Sequence, residues 1–316
     1  MAVMISPPRV ARGPIRLRPT GVTSLPAPPS PHMKRLVLTS FGVACLGYGG
    51  AIGYLKVSEI DLVYHPAERA VTPPAPGRGL NHQSVTYAST DGTTLNAWVI
   101  RADSANDSGF WMLVCHGNYG NIGYGDRPEF YDYTKAIGLS LLAFDYRGFG
   151  ESAGQPEERG LYADAEASYR YLVDSLGVRP ERVILFGHSL GSGVATELAT
   201  RVPAAGLVVE GGYTSVPDRG AELYPWLPVR AIASQRFASI NKVGKLTLPK
   251  LYLHSPSDDV IPFRHGEQVF AAAAHPKRFV SVEGGHMDAF RVDRVKYFGA
   301  IRILVDSLRA ASVGRP

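Results

Sequence analysis

Three side chains in one chain can together break an acyl bond: a serine, a base to take its proton, and a carboxylate to hold that base. The serine with a special setting is Ser189, in Gly187-His188-Ser189-Leu190-Gly191. The apolar run 183–186 before it reads as a buried strand, and residues 194–199 after it read as a helix. A sharp strand-to-helix turn strains the backbone and brings the two elements close, so Gly187, Gly191 and Gly193 stand where a side chain would clash. A serine hydroxyl is a weak nucleophile and needs help. The acid candidate downstream is Asp258, in a loop leaving the run 251–254, and the base candidate is His286, in a Gly-rich loop past 278–282. Asp259 is the rival acid, and Glu210, at the end of an earlier strand, is a further alternative. His265 and His275 bracket a helix, His254 sits in a strand end, and His188 is the variable residue of the turn.

Acyl transfer also needs donors aimed at the developing oxyanion. The backbone N–H of Leu190 is one by position. A second is expected from the loop His116-Gly117-Asn118-Tyr119-Gly120-Asn121, with Asn118 as donor and Tyr119 as the alternative. Cys115, at the end of the preceding run, reads as a small buried apolar residue. The two cysteines support neither a disulfide framework nor a zinc pattern, and neither a cofactor nor a metal is expected.

These residues need a scaffold of strand ends. Residues 84–87 and 95–100 alternate as strands joined through Asp91-Gly92, a strong hairpin signal. Beyond them, apolar runs at 110–115, 139–144, 183–186, 206–209, 251–254 and 278–282 alternate with helical stretches, the clearest at 159–176, 190–201, 264–274 and 288–311. That alternation implies crossover units, a mostly parallel sheet of about eight strands and helices on both faces. Ligands of such sheets bind beyond the carboxyl ends of the strands, where the candidates fall. Fewer than fifty residues separate Glu210 from Asp258, among them Tyr224-Pro225-Trp226-Leu227-Pro228. This leaves room for a helix and a small flap rather than a large cap domain.

The loop 116–121, the turn Asp145-Tyr146-Arg147-Gly148-Phe149-Gly150-Glu151-Ser152, the elbow around Ser189 and the Asp258 and His286 loops together resemble α/β-hydrolase-fold serine hydrolases, in the serine-aminopeptidase-like and depalmitoylase-like branch. The resemblance runs from about residue 80 to 310 and implies that fold, with Ser189, Asp258 and His286 as the triad. It also implies that Arg147 and Asp145 brace the site. Tyr119 departs from the family pattern, which has a small residue there, and its ring is expected to narrow the pocket or shift the oxyanion donor. The activity implied is hydrolysis of carboxylic esters or thioesters through an acyl-enzyme, on a small-molecule, acyl-lipid or acyl-protein substrate. The alternatives are a peptidase or amidase and a catalytically silent, membrane-tethered interaction module.

The net charge of +5 over 316 residues hints at nucleic acid until it is located. Seven of the 33 basic residues, and none of the 28 acidic ones, lie before residue 57, leaving 26 basic against 28 acidic in the body. Nucleic acid is dropped as a partner. Residues 1–35 form a basic, Pro-rich tail expected to be disordered, and residues 36–55 carry no charge over a length that spans a bilayer core. That stretch is read as a membrane anchor, with a cleaved secretory signal as the alternative and Met33 as an alternative start. Six basic residues before it keep its amino end cytoplasmic and place the catalytic domain outside. Residues 57–79 are expected to be a linker or an arm lying on the domain, and 80–316 the catalytic domain.

Overall fold

The computed structural model describes residues 30–66 and 80–313. Helix α1 (Pro31–Val57) is followed by the short α2 (Glu59–Val63). The hairpin β1 (Gln83–Ala88) and β2 (Thr94–Ile100) turns at Gly92, whose φ of +86° few other residues adopt. Then come β3 (Phe110–Cys115), α3 (Arg127–Ala136), β4 (Leu139–Phe144), α4 (Glu158–Arg170), β5 (Val183–His188), α5 (Leu190–Leu198) and β6 (Gly206–Glu210). The small helices α6 (Val216–Leu223) and α7 (Val229–Ile232) form the flap. The chain closes with β7 (Lys250–His254), α8 (Phe263–Ala272), β8 (Lys277–Ser281), α9 (Ala289–Val292) and α10 (Arg294–Val313).

The eight strands form one sheet in the order β1-β2-β4-β3-β5-β6-β7-β8. The pairs β1–β2 and β2–β4 are antiparallel, and every pairing from β4 to β8 is parallel. The apolar runs are continuous because the central strands are covered on both faces. Along β3, Trp111, Leu113 and Cys115 point into a core shared with α4, α5 and α8, while Phe110, Met112 and Val114 point into one shared with α3, α9 and α10. Each such large side chain contributes roughly 1.5–3 kcal/mol by leaving water.

This order positions the site. From β3 the chain moves outward to β4, then crosses back to β5 on the other side of β3. The loops after β3 and β5 therefore diverge from neighbouring strands and leave a crevice at the carboxyl edge. Ser189 and Asn118 stand at its two sides.

Several boundaries differ from the sequence reading. The helix expected over 288–311 is broken at Asp293, whose carboxylate accepts the Glu283 N–H at 3.2 Å and whose backbone leaves the helical region. The one expected over 159–176 ends as α-helix at Arg170 and continues as a single wider turn, Tyr171–Ser175. Helix α3 was hidden by its polar composition, since only Phe130, Tyr131 and Thr134 of its ten residues are buried. The tail expected over 1–35 is helical from Pro31, a residue suited to a first helical position; residues 1–29 lie outside those described.

Of the two readings of residues 57–79, linker or arm, the described residues 57–66 follow the arm. The chain divides by contacts into residues 1–49 and Gly50–Pro316, so the catalytic unit begins well before residue 80. Tyr64 is only 2% exposed, edge-on to Phe149 and Phe237, and its hydroxyl donates to Gln235 Oε1 at 2.5 Å. An aromatic ring that finds a core pocket stays there whatever the composition around it. Residues 67–79 of that stretch lie outside those described. Tyr64→Ala is expected to destabilise the catalytic unit by about 3 kcal/mol or more, as core aromatic truncations do; denaturant unfolding checks this, and a change near zero is what a linker would give.

Candidate active site

The turn from β5 to α5 holds Ser189 at φ 53° and ψ −123°. Among the described non-glycine residues only Phe237 shares a positive φ. Such a conformation costs on the order of 1–3 kcal/mol and persists only where surrounding contacts enforce it. Here they do. The Ser189 N–H donates to the Glu210 carbonyl at 3.0 Å, and the Ser189 carbonyl accepts from the Ser192 N–H at 2.9 Å. A Cβ at Gly191 would run into the Cys115 and His116 carbonyls, and one at Gly187 into the backbone of Gly191 and Ser192. Close packing thus pushes the Ser189 side chain out at the start of α5, where unpaired N–H groups favour negative charge.

Asp258 and His286 arrive from the ends of β7 and β8. His286 Nδ1 lies 2.8 Å from Asp258 Oδ2, and the other carboxylate oxygen accepts the N–H groups of Val260 at 2.9 Å and Ile261 at 2.7 Å. Burial would raise the Asp258 carboxyl, but hydrogen bonds from His254, His286 and the Ile261 N–H outweigh it and hold the group well below the usual carboxylate range. An ionised Asp258 orients the Nδ1 proton toward itself, which leaves Nε2 as the basic nitrogen. The rival Asp259 is exposed. Glu210 offers its backbone carbonyl to the Ser189 N–H, while burial pushes its carboxyl up to about 8.

His188 has a role the sequence reading did not assign. Its Nε2 lies 2.9 Å from the His286 carbonyl, and the two rings are 4.8 Å apart. Burial, helped by the nearby His286, lowers His188 to about 3, so it is neutral and donates its Nε2 proton to that carbonyl. The residue preceding the serine therefore ties the His286 loop to the elbow. Gly211, at φ +53°, packs against the same ring; a Cβ there would come within 3.1 Å of His286 Cε1.

The loop after β3 passes close over the serine, for a Cβ at Gly117 would sit 3.3 Å from Ser189 Cβ. Asn118 lines a cavity of about 430 Å³ with Ser189 and Leu190. Its side-chain amide is turned to the Val63 carbonyl, to which Asn118 Nδ2 donates at 2.9 Å, which favours the backbone N–H over the side chain as an oxyanion donor. Tyr119 does not narrow this cavity. Its ring is 46% exposed and packs against Tyr124 and His65, while its carbonyl accepts from Arg127 at 2.6 Å. Arg127, opening α3, also donates to the Asn121 carbonyl, which fixes the loop from one side.

The turn after β4 braces these loops at one remove. Asp145 Oδ1 accepts the Ile122 N–H at 2.8 Å, and burial raises its carboxyl to about 7. Arg147 pairs with Asp164 of α4 and with Asp91 of the hairpin, both at 2.8 Å, and so ties sheet edge to helix without touching the crevice. Cys115 is fully buried, and burial pushes its thiol up to about 12, which makes it inert as a nucleophile.

Residues 112–306 match the Alpha/beta hydrolase family. An uncharacterized protein of Mycobacterium tuberculosis is 36% identical over 268 residues, covering 84% of this chain and 92% of that one. Lysophosphatidylserine lipase ABHD12 of Danio rerio is 31% identical over 235 residues, 63% of this chain and 61% of that protein. Among solved structures, a Pyrococcus furiosus esterase shares the fold with a TM-score of 0.64 at 16% identity, over 78% of this chain and 98% of that one. The chain belongs to the alpha/beta hydrolase family, as a serine hydrolase of the α/β-hydrolase fold.

Two buried acids give the fold a pH signature. Glu210 rises from 4.5 to about 8 and Asp145 from 3.8 to about 7, so the folded state keeps both protonated where the unfolded chain ionises them. Their contribution is whole below the unfolded values and is lost as pH rises toward the folded ones, at up to about 1.4 kcal/mol per pH unit for each group. Stability should therefore fall between pH 5 and 8, and Glu210→Gln should flatten that slope; urea unfolding across this range tests it.

Proposed function

We propose that the enzyme hydrolyses carboxylic ester or thioester bonds through an acyl-enzyme formed on Ser189. The observation that carries this reading is the Asp258–His286 contact of 2.8 Å, tied through His188 to a serine in a strained elbow. In the proposed sequence His286 Nε2 takes the Ser189 proton as Oγ attacks the carbonyl carbon, and Asp258 stabilises the imidazolium. The Leu190 and Asn118 N–H groups hold the oxyanion. His286 then gives its proton to the leaving alcohol or thiol, and water repeats the sequence to free the acid.

The cavity walls favour an acyl group over a peptide. Leu62, Val63, Leu223, Val229, Ile232 and Ile261 line it, and of its four charged lining residues, Lys56, Glu59, Arg219 and Asp259, the first three are already hydrogen-bonded within the protein. A lipase among the relatives supports the same substrate class. An interaction module would have no use for a strained serine beside an oriented imidazole.

Location belongs to the same proposal. Among the described residues α1 is the one helix long and apolar enough to cross a bilayer, with a mean hydropathy of 1.6 and none of its most apolar window buried. We read it as an anchor that holds the catalytic unit outside the cytoplasm. Protease treatment of intact spheroplasts carrying a carboxyl-terminal tag checks this: the tag should be digested, and its protection would reverse the topology.

Ser189→Ala is expected to lower kcat on p-nitrophenyl esters by on the order of 10⁶ with an unchanged circular dichroism spectrum. The neighbouring carboxylates should separate. Asp258→Asn is expected to lower kcat by roughly 10⁴ through loss of the imidazole's partner, and Asp259→Asn far less. Steady-state kinetics on the two variants decide, and the reverse order would move the acid by one residue.

A further inference from the structure

The segment following α1 does more than fill space. Glu59 Oε1 accepts the N–H groups of Ser234 at 2.6 Å and Gln235 at 2.8 Å, and Oε2 accepts the Ser234 hydroxyl at 2.6 Å and Lys56 Nζ at 3.1 Å. Lys56 Nζ also donates to the Ile232 carbonyl at 3.1 Å. Burial alone would raise the Glu59 carboxyl; these donors outweigh it and keep the group ionised. One latch thus closes residues 56–59 onto the strand of chain that leaves the flap helix α7.

A second latch reaches the oxyanion loop. Asn118 Nδ2 donates to the Val63 carbonyl at 2.9 Å, the His65 N–H donates to the Asn118 carbonyl at 2.8 Å, and the Gly120 N–H donates to the His65 carbonyl at 3.0 Å. The result is an isolated parallel bridge between His65 and Tyr119. Between the latches Leu55, Leu62 and Val63 line the cavity together with Leu223, Val229 and Ile232, with Ser189 on the same lining. Leu62 is 39% exposed. A residue placed only to complete the core would be packed; this one presents apolar surface to an open space that begins at the serine.

We infer that residues 55–65 are a working part of the active site, forming one wall of an acyl-chain pocket and clamping the loop that carries the Asn118 N–H. Glu59 is the positioning residue that holds this wall against the flap, Leu62 and Val63 are the contacts that read chain length, and the Asn118 amide sets the oxyanion loop. The substrate class is a long acyl ester or thioester with a single chain lying between α2 and α7. This rests on Ser189 being the nucleophile.

The two latches should separate kinetically. Breaking the flap latch removes chain contacts without moving the reacting atoms, so it acts on KM for long chains. Breaking the loop latch moves an oxyanion donor, so it acts on kcat for every chain length. The test uses the full chain purified in detergent, with p-nitrophenyl esters from acetate to palmitate and a fluorophosphonate probe of Ser189. In Glu59→Ala the ratio of kcat/KM for palmitate over acetate should fall on the order of tenfold through KM, as lost contacts along an apolar pocket do. Leu62→Trp fills the pocket with both latches intact and should lower the same ratio by at least as much, so the result stands even if Glu59→Ala does not fold. Asn118→Ala should lower kcat for acetate and palmitate alike. Labelled Ser189 with an unchanged ratio in the folded variants overturns the inference and leaves the nucleophile in place. Failure of wild-type Ser189 to react with the probe removes both.

Discussion

The site depends on one backbone conformation, the positive φ of 53° at Ser189. It exists because α5 packs too closely for a side chain against β5 at Gly187 and against the end of β3 at Gly191, and because Glu210 and Ser192 bond the serine's own peptide groups. The strain is offset by the cores on both faces of the sheet, which fix the strand before the turn and the helix after it. A serine in an ordinary βα loop would relax and point elsewhere. From this single constraint follow the placing of Ser189 on the cavity lining, the adjacent helix N-terminus and the nearness of the loop after β3.

Charge is distributed so that one group at the site is fully ionised and its neighbours are quiet. Asp258 is held ionised by its donors, His188 stays neutral, and Glu210 and Asp145 are pushed toward protonation by burial. The orienting field at His286 therefore comes from one carboxylate at 2.8 Å, with few competing charges in a water-poor setting where each would act strongly. Such preorganisation is what acyl transfer requires of a protein, because the donors need not rearrange as charge develops.

The loop after β3 is held from both sides. Arg127 binds the carbonyls of Tyr119 and Asn121, and residues 63–65 bind Asn118 and Gly120. A loop rich in glycine has many accessible conformations, and these bonds remove them before substrate arrives. The price is that the chain ahead of the sheet can no longer be a passive tether.

Much of this was legible in the sequence. The alternating hairpin and the six apolar runs after it, their alternation with helices, and the places of Ser189, Asp258 and His286 at strand ends are local patterns, visible because periodicity and turn chemistry act over a few residues. Contacts between distant segments were not. Glu59 meets Ser234 across 175 positions, Asn118 meets Val63 across 55, and His188 meets His286 across 98. No spacing rule links such pairs, so composition left residues 57–66 open between a linker and an arm, Asn118 read as a donor without its second partner, and His188 as a bystander. The sequence by itself determined the sheet, the elbow and the residue types offered to the site. Only the tertiary structure decided which atoms of those residues remain available and which are spent on holding the walls, because a hydrogen bond between distant segments exists only once the strands have brought them together.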